Sequence, residues 1–339
     1  MIRGTRFPSS QQRLMEFIEQ EFPTGPNHHH VSKLSGDAST RQYFRYMSKS
    51  GQSFVLAAYP EPFDPDRFNY RQVYHLLSDI GLPVPKIITL DAELGIVLQE
   101  DLGNESLQVR LLTAAKQERR VLLRQAIDYI VTIQKEGTRA LQPKVEASVL
   151  AFDQEKLNSE LLFFECHYLR GYKGLKTAET KNLMDEFTRL ATELAGSSRF
   201  LCHRDYHVRN LMLKDGKIYI TDFQDARQGP ASYDLVSLLK DSIQLDTQEV
   251  NEYRDYYLDR AALSQTGEDF MRQFHLMCIQ RLLKALGTYG FQIVTRDNFL
   301  YQQYVPGSLH RSLLSLQAVP EFPYIQSIVE GDLPPRKKS

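Results

Sequence analysis

Between residues 31 and 59 the apolar positions fall into three short runs separated by small or polar residues, the pattern of strands rather than helices. The first run turns through Leu34-Ser35-Gly36-Asp37-Ala38-Ser39-Thr40, residues 42–47 form the second, and residues 53–59 return after the turn Lys49-Ser50-Gly51-Gln52. Ahead of them, Ser9 or Ser10 is placed to cap a helix with Leu14, Met15, Phe17 and Ile18 on its apolar face, and residues 23–30 read as a loop. Beyond the break at residues 60–65, Asp64 or Asp66 is expected to cap a helix to Ile80, with Phe68, Val73, Leu76, Leu77 and Ile80 inward and Gly81 closing it. Pro83-Val84-Pro85 leads into two more strands, 86–90 and 95–99.

After residue 100 the period becomes mostly helical. Residues 116–134 place Val121, Leu122, Ala126, Tyr129, Ile130 and Ile133 at helical spacing, and Asp153 is placed to cap a helix through Leu169. Further helices are expected near 180–194, 233–243, 247–262, 267–289 and 309–316, with a loose basic tail over 331–339. The stripe Phe274, Met277, Cys278, Leu282, Leu283 and Leu286 reads as core, not as a cofactor contact.

One stretch interrupts the helices. Residues 200–202 form an apolar strand, a polar loop follows, residues 211–213 form a second strand, Asp215-Gly216 is a hairpin turn, and residues 217–221 alternate as a half-buried strand. Asp205, Asn210 and Asp222 thereby fall at loop and strand ends, where a rigid scaffold can hold them close together. Phosphoryl transfer needs such a set: one carboxylate at the acceptor hydroxyl, and an amide plus a second carboxylate for the magnesium that screens the nucleotide phosphates. His203-Arg204-Asp205 with Asn210, then Asp222-Phe223, reproduces the kinase motif H-R-D-x-x-x-x-N followed by D-F, except that Gln224 stands where glycine is usual.

Composition narrows the partners. The chain has 339 residues, 42% hydrophobic and 24% charged, enough for a large core and two lobes. Lys+Arg 41 against Asp+Glu 42 leaves a net charge of -1, which argues against a general nucleic-acid or membrane-surface binder, and no obligate protein partner is evident. Cys166, Cys202 and Cys278 make neither a disulfide framework nor a zinc pattern, which fits a reducing cytoplasm; no signal core or membrane-length apolar run is present. His28-His29-His30 has no acidic or cysteine neighbour and reads as a solvated loop rather than a metal site.

The block Asp222-Phe223-Gln224-Asp225-Ala226 after the catalytic loop resembles the aminoglycoside phosphotransferase and choline kinase superfamily of small-molecule kinases. The runs 36–45, 209–212 and 222–241 look, more narrowly, like the anomeric N-acetylmuramate/N-acetylglucosamine kinases of cell-wall sugar salvage. That resemblance implies an α+β, protein-kinase-like two-lobe fold: a β-rich lobe over residues 1–100 and a mainly helical lobe over 101–339, with ATP and Mg2+ in the cleft. It implies Asp205 as base or orienter of the acceptor hydroxyl, Asn210 and Asp222 as magnesium ligands, and Arg209 and Asp225 as acceptor contacts. Ser35, Gly36, Asp37, Ser39, Thr40 and Arg41 would cover the nucleotide phosphates, and the backbone around Glu100 and Leu102 would receive the adenine. His203 and Arg204 are expected to pack and shape the loop, and His207 is not expected to reach the acceptor. One departure stands out: the strand over 54–59 has no lysine and the following helix no glutamate, the pair kinases use to hold phosphates. Arg41 is the expected substitute, with Arg45 second. Two other readings stay open: a kinase for another small molecule, such as an aminoglycoside, amino alcohol or amino acid, and a nucleotide-binding regulator without catalysis.

Overall fold

The structure, a computed structural model, describes residues 9–22, 30–34, 41–48, 50–241, 243–263 and 265–332. The expected phosphate-loop residues Ser35, Gly36, Asp37, Ser39 and Thr40, the histidines at 28 and 29 and the tail from 333 lie outside them. Among the described residues, no helix is long and apolar enough to cross a membrane.

The N-terminal region is one antiparallel sheet. Its strands are β1 (His30–Leu34), β2 (Gln42–Met47), β3 (Ser53–Ala58), β4 (Ile87–Asp91) and β5 (Ile96–Glu100), in the order β1-β2-β3-β5-β4. Helix α1 (Ser10–Glu21) is capped by Ser9 and packs Leu14, Phe17 and Ile18 with Phe44, Leu56 and Leu98 into a small core on one face of the sheet. Met15 was expected in that face and is exposed instead. Its place is taken by Arg13, whose guanidinium is buried because it donates to the carbonyls of Tyr59, Pro60 and Leu94 where the chain turns. Helix α2 (Asn69–Asp79) begins later than expected, because Asp64 accepts from the Asp66 N–H and closes a turn rather than a helix start. Val73, Leu76 and Leu77 join the large core shared with the rest of the chain.

The C-terminal region is largely helical. Helices α3 (Leu107–Thr113), α4 (Lys116–Thr132), α5 (Gln154–Phe164, capped by Asp153) and α6 (Leu183–Ala195) precede two small β-pairs. Val121, expected inward on α4, is exposed, and α5 runs on as a π-helical segment, Glu165–Tyr172. Strand β6 (Arg199–Cys202) pairs with β9 (Arg227–Pro230), and β7 (Leu211–Lys214) with β8 (Lys217–Ile220). Asp215 and Gly216, at φ 52° and 72°, close the β7–β8 hairpin as the two left-handed residues that this tight turn requires. Strand β9 was not anticipated, since Gly229-Pro230 reads as a turn; it forms because β6 offers it a partner. Helices α7 (Ser232–Val236), α8 (Thr247–Ala261), α9 (Gly267–Thr295), α10 (Val305–Ala318) and α11 (Pro323–Asp332) complete the chain. Helix α9 runs six residues past its expected end, and α11 occupies residues 331 and 332, expected as tail.

Helix α9 is the spine of this region, with Phe274, Met277, Cys278, Leu282, Leu283 and Leu286 buried as the stripe predicted. It crosses the Glu165–Tyr172 segment at very short range through two glycines. A Cβ on Gly287 would meet the Phe164 Cα at 2.8 Å, and one on Gly290 the His167 carbonyl carbon at 2.7 Å. Both obstacles are backbone and cannot rotate away. Gly290→Ala is therefore expected to cost about 1–3 kcal/mol through overpacking, read as a lower urea midpoint at unchanged slope; an unchanged midpoint would show that the crossing can widen freely.

Candidate active site

The catalytic-loop segment between β6 and β7 is held in a shape its sequence alone would not adopt. Arg204 sits at φ 85° and Asp222 at φ 61°, in the left-handed region that non-glycine residues rarely occupy. Buried Asp234, on α7, accepts from the His203 N–H at 2.7 Å and from the Arg204 N–H at 3.1 Å. From the other side, Arg281 of α9 donates to the Arg204 carbonyl at 2.9 Å, so both ends of the strained residue are tied to helices. His203 is buried, and its Nε2 donates to the Thr221 carbonyl at 2.9 Å.

The same bonding fixes the expected site residues relative to one another. The Asn210 side-chain amide donates to the Asp205 carbonyl at 2.9 Å, and the Asn210 carbonyl accepts from both the N–H and the hydroxyl of Thr221 at 2.9 Å. Asp222 follows directly. Its segment is gripped from the N-terminal region as well: the Asn69 amide donates to the Gln224 carbonyl, and Tyr70 stacks on Phe223 with centroids 4.8 Å apart. Thus α2 reaches the D-F segment through an amide and an aromatic ring, without the lysine–glutamate pair of other kinases.

Two cavities meet at these residues. One, of about 480 Å³, lies under the sheet against Tyr43, Val55, Glu100, Leu102 and Met212. The other, of about 710 Å³, is lined by Asp205, Asp225 and Arg281. Arg209, Asn210 and Asp222 line both, while Asp205 lines only the larger. The expected residues within the described chain therefore all reach one cleft. Arg204 and His207, not expected to face it, line the larger cavity too. Asp225 does so while pairing with Arg204 at 3.2 Å.

Electrostatics distinguish the carboxylates. Burial pushes the Asp205 carboxyl upward, but Lys284, Arg204 and Arg281 outweigh it, so it stays ionised well below the usual carboxylate range. Burial pushes Asp234 up, against its N–H donors and nearby Arg281. Burial also lowers the His207 imidazole, favouring its neutral form. Arg41 crosses from the start of β2 to donate to Asp222 at 2.8 Å, with Tyr43 and Tyr59 flanking its guanidinium. Arg45, the second candidate for the missing lysine, is instead held by Asp101, with bonds of 2.6 and 2.9 Å. Glu100 accepts from Lys214 at 2.6 Å, which ties the β5 end to the β7–β8 hairpin.

Asp241, Arg281, Lys284, Tyr289 and Tyr301 also line the larger cavity and were not anticipated. A signal existed: residues 281, 284, 285 and 288 share one side of α9 by helical spacing, the side that Phe274, Met277 and Cys278 occupy two turns earlier, so that this side turns from apolar to polar along the helix. Among the described residues no group of three or more His, Cys, Asp and Glu is arranged for a metal. The Asn210 amide oxygen and the Asp222 carboxylate are nevertheless hard oxygen donors facing one cleft, a set that suits Mg2+ when phosphate oxygens complete its shell.

A β-rich region and a helical region meeting at a cleft with this loop make a kinase-like phosphotransferase fold. The same fold occurs in a choline/ethanolamine kinase family protein from Mesorhizobium loti, TM-score 0.61 at 15% identity over 95% of this chain and 99% of that one. An ADP-bound aminoglycoside phosphotransferase shares it at TM-score 0.58 and 12% identity, over 88% and 96% of the two chains. Residues 30–274 match the model of the phosphotransferase enzyme family (APH), and the chain belongs to that family. It is 33% identical over 274 residues to the N-acetylmuramate/N-acetylglucosamine kinase of Pseudomonas aeruginosa, covering 78% of this chain and 76% of that protein. The Neisseria meningitidis protein of the same name is 32% identical over 272 residues, 76% of each chain.

Removing the Asp234 carboxylate strands two buried N–H groups, each costing about 1–3 kcal/mol. Asp234→Ala is expected to lose about 3 kcal/mol of unfolding free energy in urea; a loss under about 1 kcal/mol would contradict the clamp.

Proposed function

We infer that this chain is an ATP-dependent sugar kinase that phosphorylates the anomeric C1 hydroxyl of N-acetylmuramate, N-acetylglucosamine or both, giving the sugar 1-phosphate for cell-wall recycling in the cytoplasm. The observation that carries the reading is the pair of cavities sharing Asn210 and Asp222, with Asp205 on one side only. ATP occupies the smaller cavity, its adenine against the backbone near Glu100 and Leu102; Ser35, Gly36, Asp37, Ser39 and Thr40 cover its phosphates by resemblance. The sugar occupies the larger. The boundary between the lobes falls near residue 100, where β5 ends.

Asp205 accepts or orients the proton of the acceptor hydroxyl. A hemiacetal hydroxyl is more acidic than an ordinary sugar hydroxyl, so a carboxylate held ionised by Lys284, Arg204 and Arg281 suffices as its base. Asn210 and Asp222 hold Mg2+, which when bound screens the charge of the phosphates. Asp225 and Arg209 border the acceptor and are its proposed hydrogen-bonding contacts. Arg41, placed between the β2 start and Asp222, supplies the fixed cation that β3 lacks. The names of the relatives at 32–33% identity support the choice of sugars.

Enzyme, ATP and Mg2+ incubated with each sugar are expected to yield a C1 phosphate by phosphorus NMR, and Asp205→Asn is expected to lower kcat about 10²- to 10⁴-fold while still binding ATP. Phosphate on C6, transfer only to amine-bearing acceptors, or near-wild-type turnover by Asp205→Asn would contradict the reading. Arg41→Ala is expected to raise the KM for ATP, lower kcat, or both, by about tenfold or more; kinetics unchanged on both counts would remove Arg41 from phosphate binding.

A further inference from the structure

The larger cavity is lined by five cations, Arg41, Arg204, Arg209, Arg281 and Lys284, and four aspartates. Four of its cations are engaged or placed at its edge. Arg41 donates to Asp222 at 2.8 Å, and Arg204 pairs with Asp225 at 3.2 Å. Arg281 reaches Asp241 at 3.3 Å and Ser237 at 2.8 Å while holding the Arg204 carbonyl. Arg209 lines both cavities, which puts it at the phosphate boundary.

Lys284 is different. It lines the larger cavity alone, on the face of α9 that looks across at Asp205. The nearest carboxylate to its ammonium among the described residues is Glu160, at 3.9 Å, the outer limit of an ion pair. Glu160 also pairs with Lys156 at 3.1 Å and accepts from the Gln280 amide at 2.9 Å. The Lys284 side chain retains 21% exposure, directed into a space large enough for one substituted sugar. A partly desolvated ammonium facing a cavity favours an anionic group on whatever enters it.

We propose that Lys284 reads the carboxylate of an acidic acceptor, the lactyl group of N-acetylmuramate, and so sets the preference between the acidic and the neutral N-acetylated sugar. The proposal rests on the sugar-kinase reading above and deepens it: Asp205, with Lys284 helping to keep it ionised, acts on either sugar, whereas a direct contact from Lys284 to a lactyl carboxylate is made with one. The two sugars differ by a lactyl ether at C3, a single negative charge that one ammonium can recognise. Loss of Lys284 leaves the buried Glu160 with Lys156 and the Gln280 amide, and Lys284→Arg keeps a second cation beside it.

The test is kcat/KM on N-acetylmuramate, its neutral lactyl methyl ester and N-acetylglucosamine, for wild type, Lys284→Gln and Lys284→Arg. Wild type is expected to prefer the acid over its ester. Lys284→Gln is expected to lose about 10- to 100-fold more on N-acetylmuramate than on N-acetylglucosamine, the equivalent of one charge-assisted hydrogen bond, on top of any loss common to both sugars from weaker support of the ionised Asp205. Lys284→Arg is expected to recover part of the loss on the acid only. Equal losses on both sugars would overturn the proposal and leave Lys284 acting only through Asp205 or the transferring phosphoryl group; no loss on either would overturn it too. The wild-type comparison of acid with ester needs no variant to fold, and equal rates there are equally fatal. A wild type that phosphorylates neither sugar at C1 defeats the sugar-kinase reading itself, whereas activity on both without selectivity at Lys284 defeats only this inference.

Discussion

The site depends on one short chain of hydrogen bonds, from the Asp205 carbonyl through the Asn210 amide and carbonyl to Thr221. It binds two loops that the sequence separates by a complete β-hairpin, and it sets where Asp222 emerges. The β7–β8 hairpin, with its two left-handed turn residues, is the rigid part that makes this possible. Around it the structure places three supports. Asp234 and Arg281 pin the strained Arg204, Asn69 and Tyr70 grip the segment after Asp222, and Arg41 reaches Asp222 from the sheet. Two of the three come from the N-terminal region, so that region and the catalytic loop are geometrically coupled.

That coupling gives a physical account of the missing lysine–glutamate pair. An ordinary kinase links sheet, helix and phosphates through one ion pair. Here α2 attaches to the D-F segment by an amide and a stacked ring, contacts that carry no charge, while Arg41, just ahead of β2, reaches Asp222.

The gathering of Asp205, Asn210 and Asp222 at one cleft was legible in the sequence because they lie in a motif with fixed spacing between recognisable strands. Most of the named core faces were legible too, since α9 and α2 bury the apolar residues that their spacing marks. What failed had identifiable causes. Met15 lost its buried place to Arg13 because three carbonyls elsewhere in the chain needed a donor. Helix α2 started late because aspartate serves turns as readily as helix caps. Strand β9 was hidden by a glycine–proline pair that only a tertiary partner makes extended. Lys284 and Arg281 escaped notice because single cations on a helix read as solvated, although these two continue the side of α9 that Phe274 and Met277 occupy and Arg281 is buried there. Asp234 lies in a block noted only for family resemblance, and its clamp on His203 and Arg204 joins residues thirty positions apart.

The central claim is that Asp222 and Asn210 form the seam at which nucleotide and acceptor meet, with a divalent cation as part of that seam. Calorimetric titration of ADP with and without Mg2+, on wild type and Asp222→Asn, tests it most directly. The account predicts that Mg2+ tightens ADP binding by wild type and that this enhancement disappears in the variant, while affinity without the metal changes little. An equal Mg2+ enhancement in both proteins would place the cation elsewhere and contradict the account.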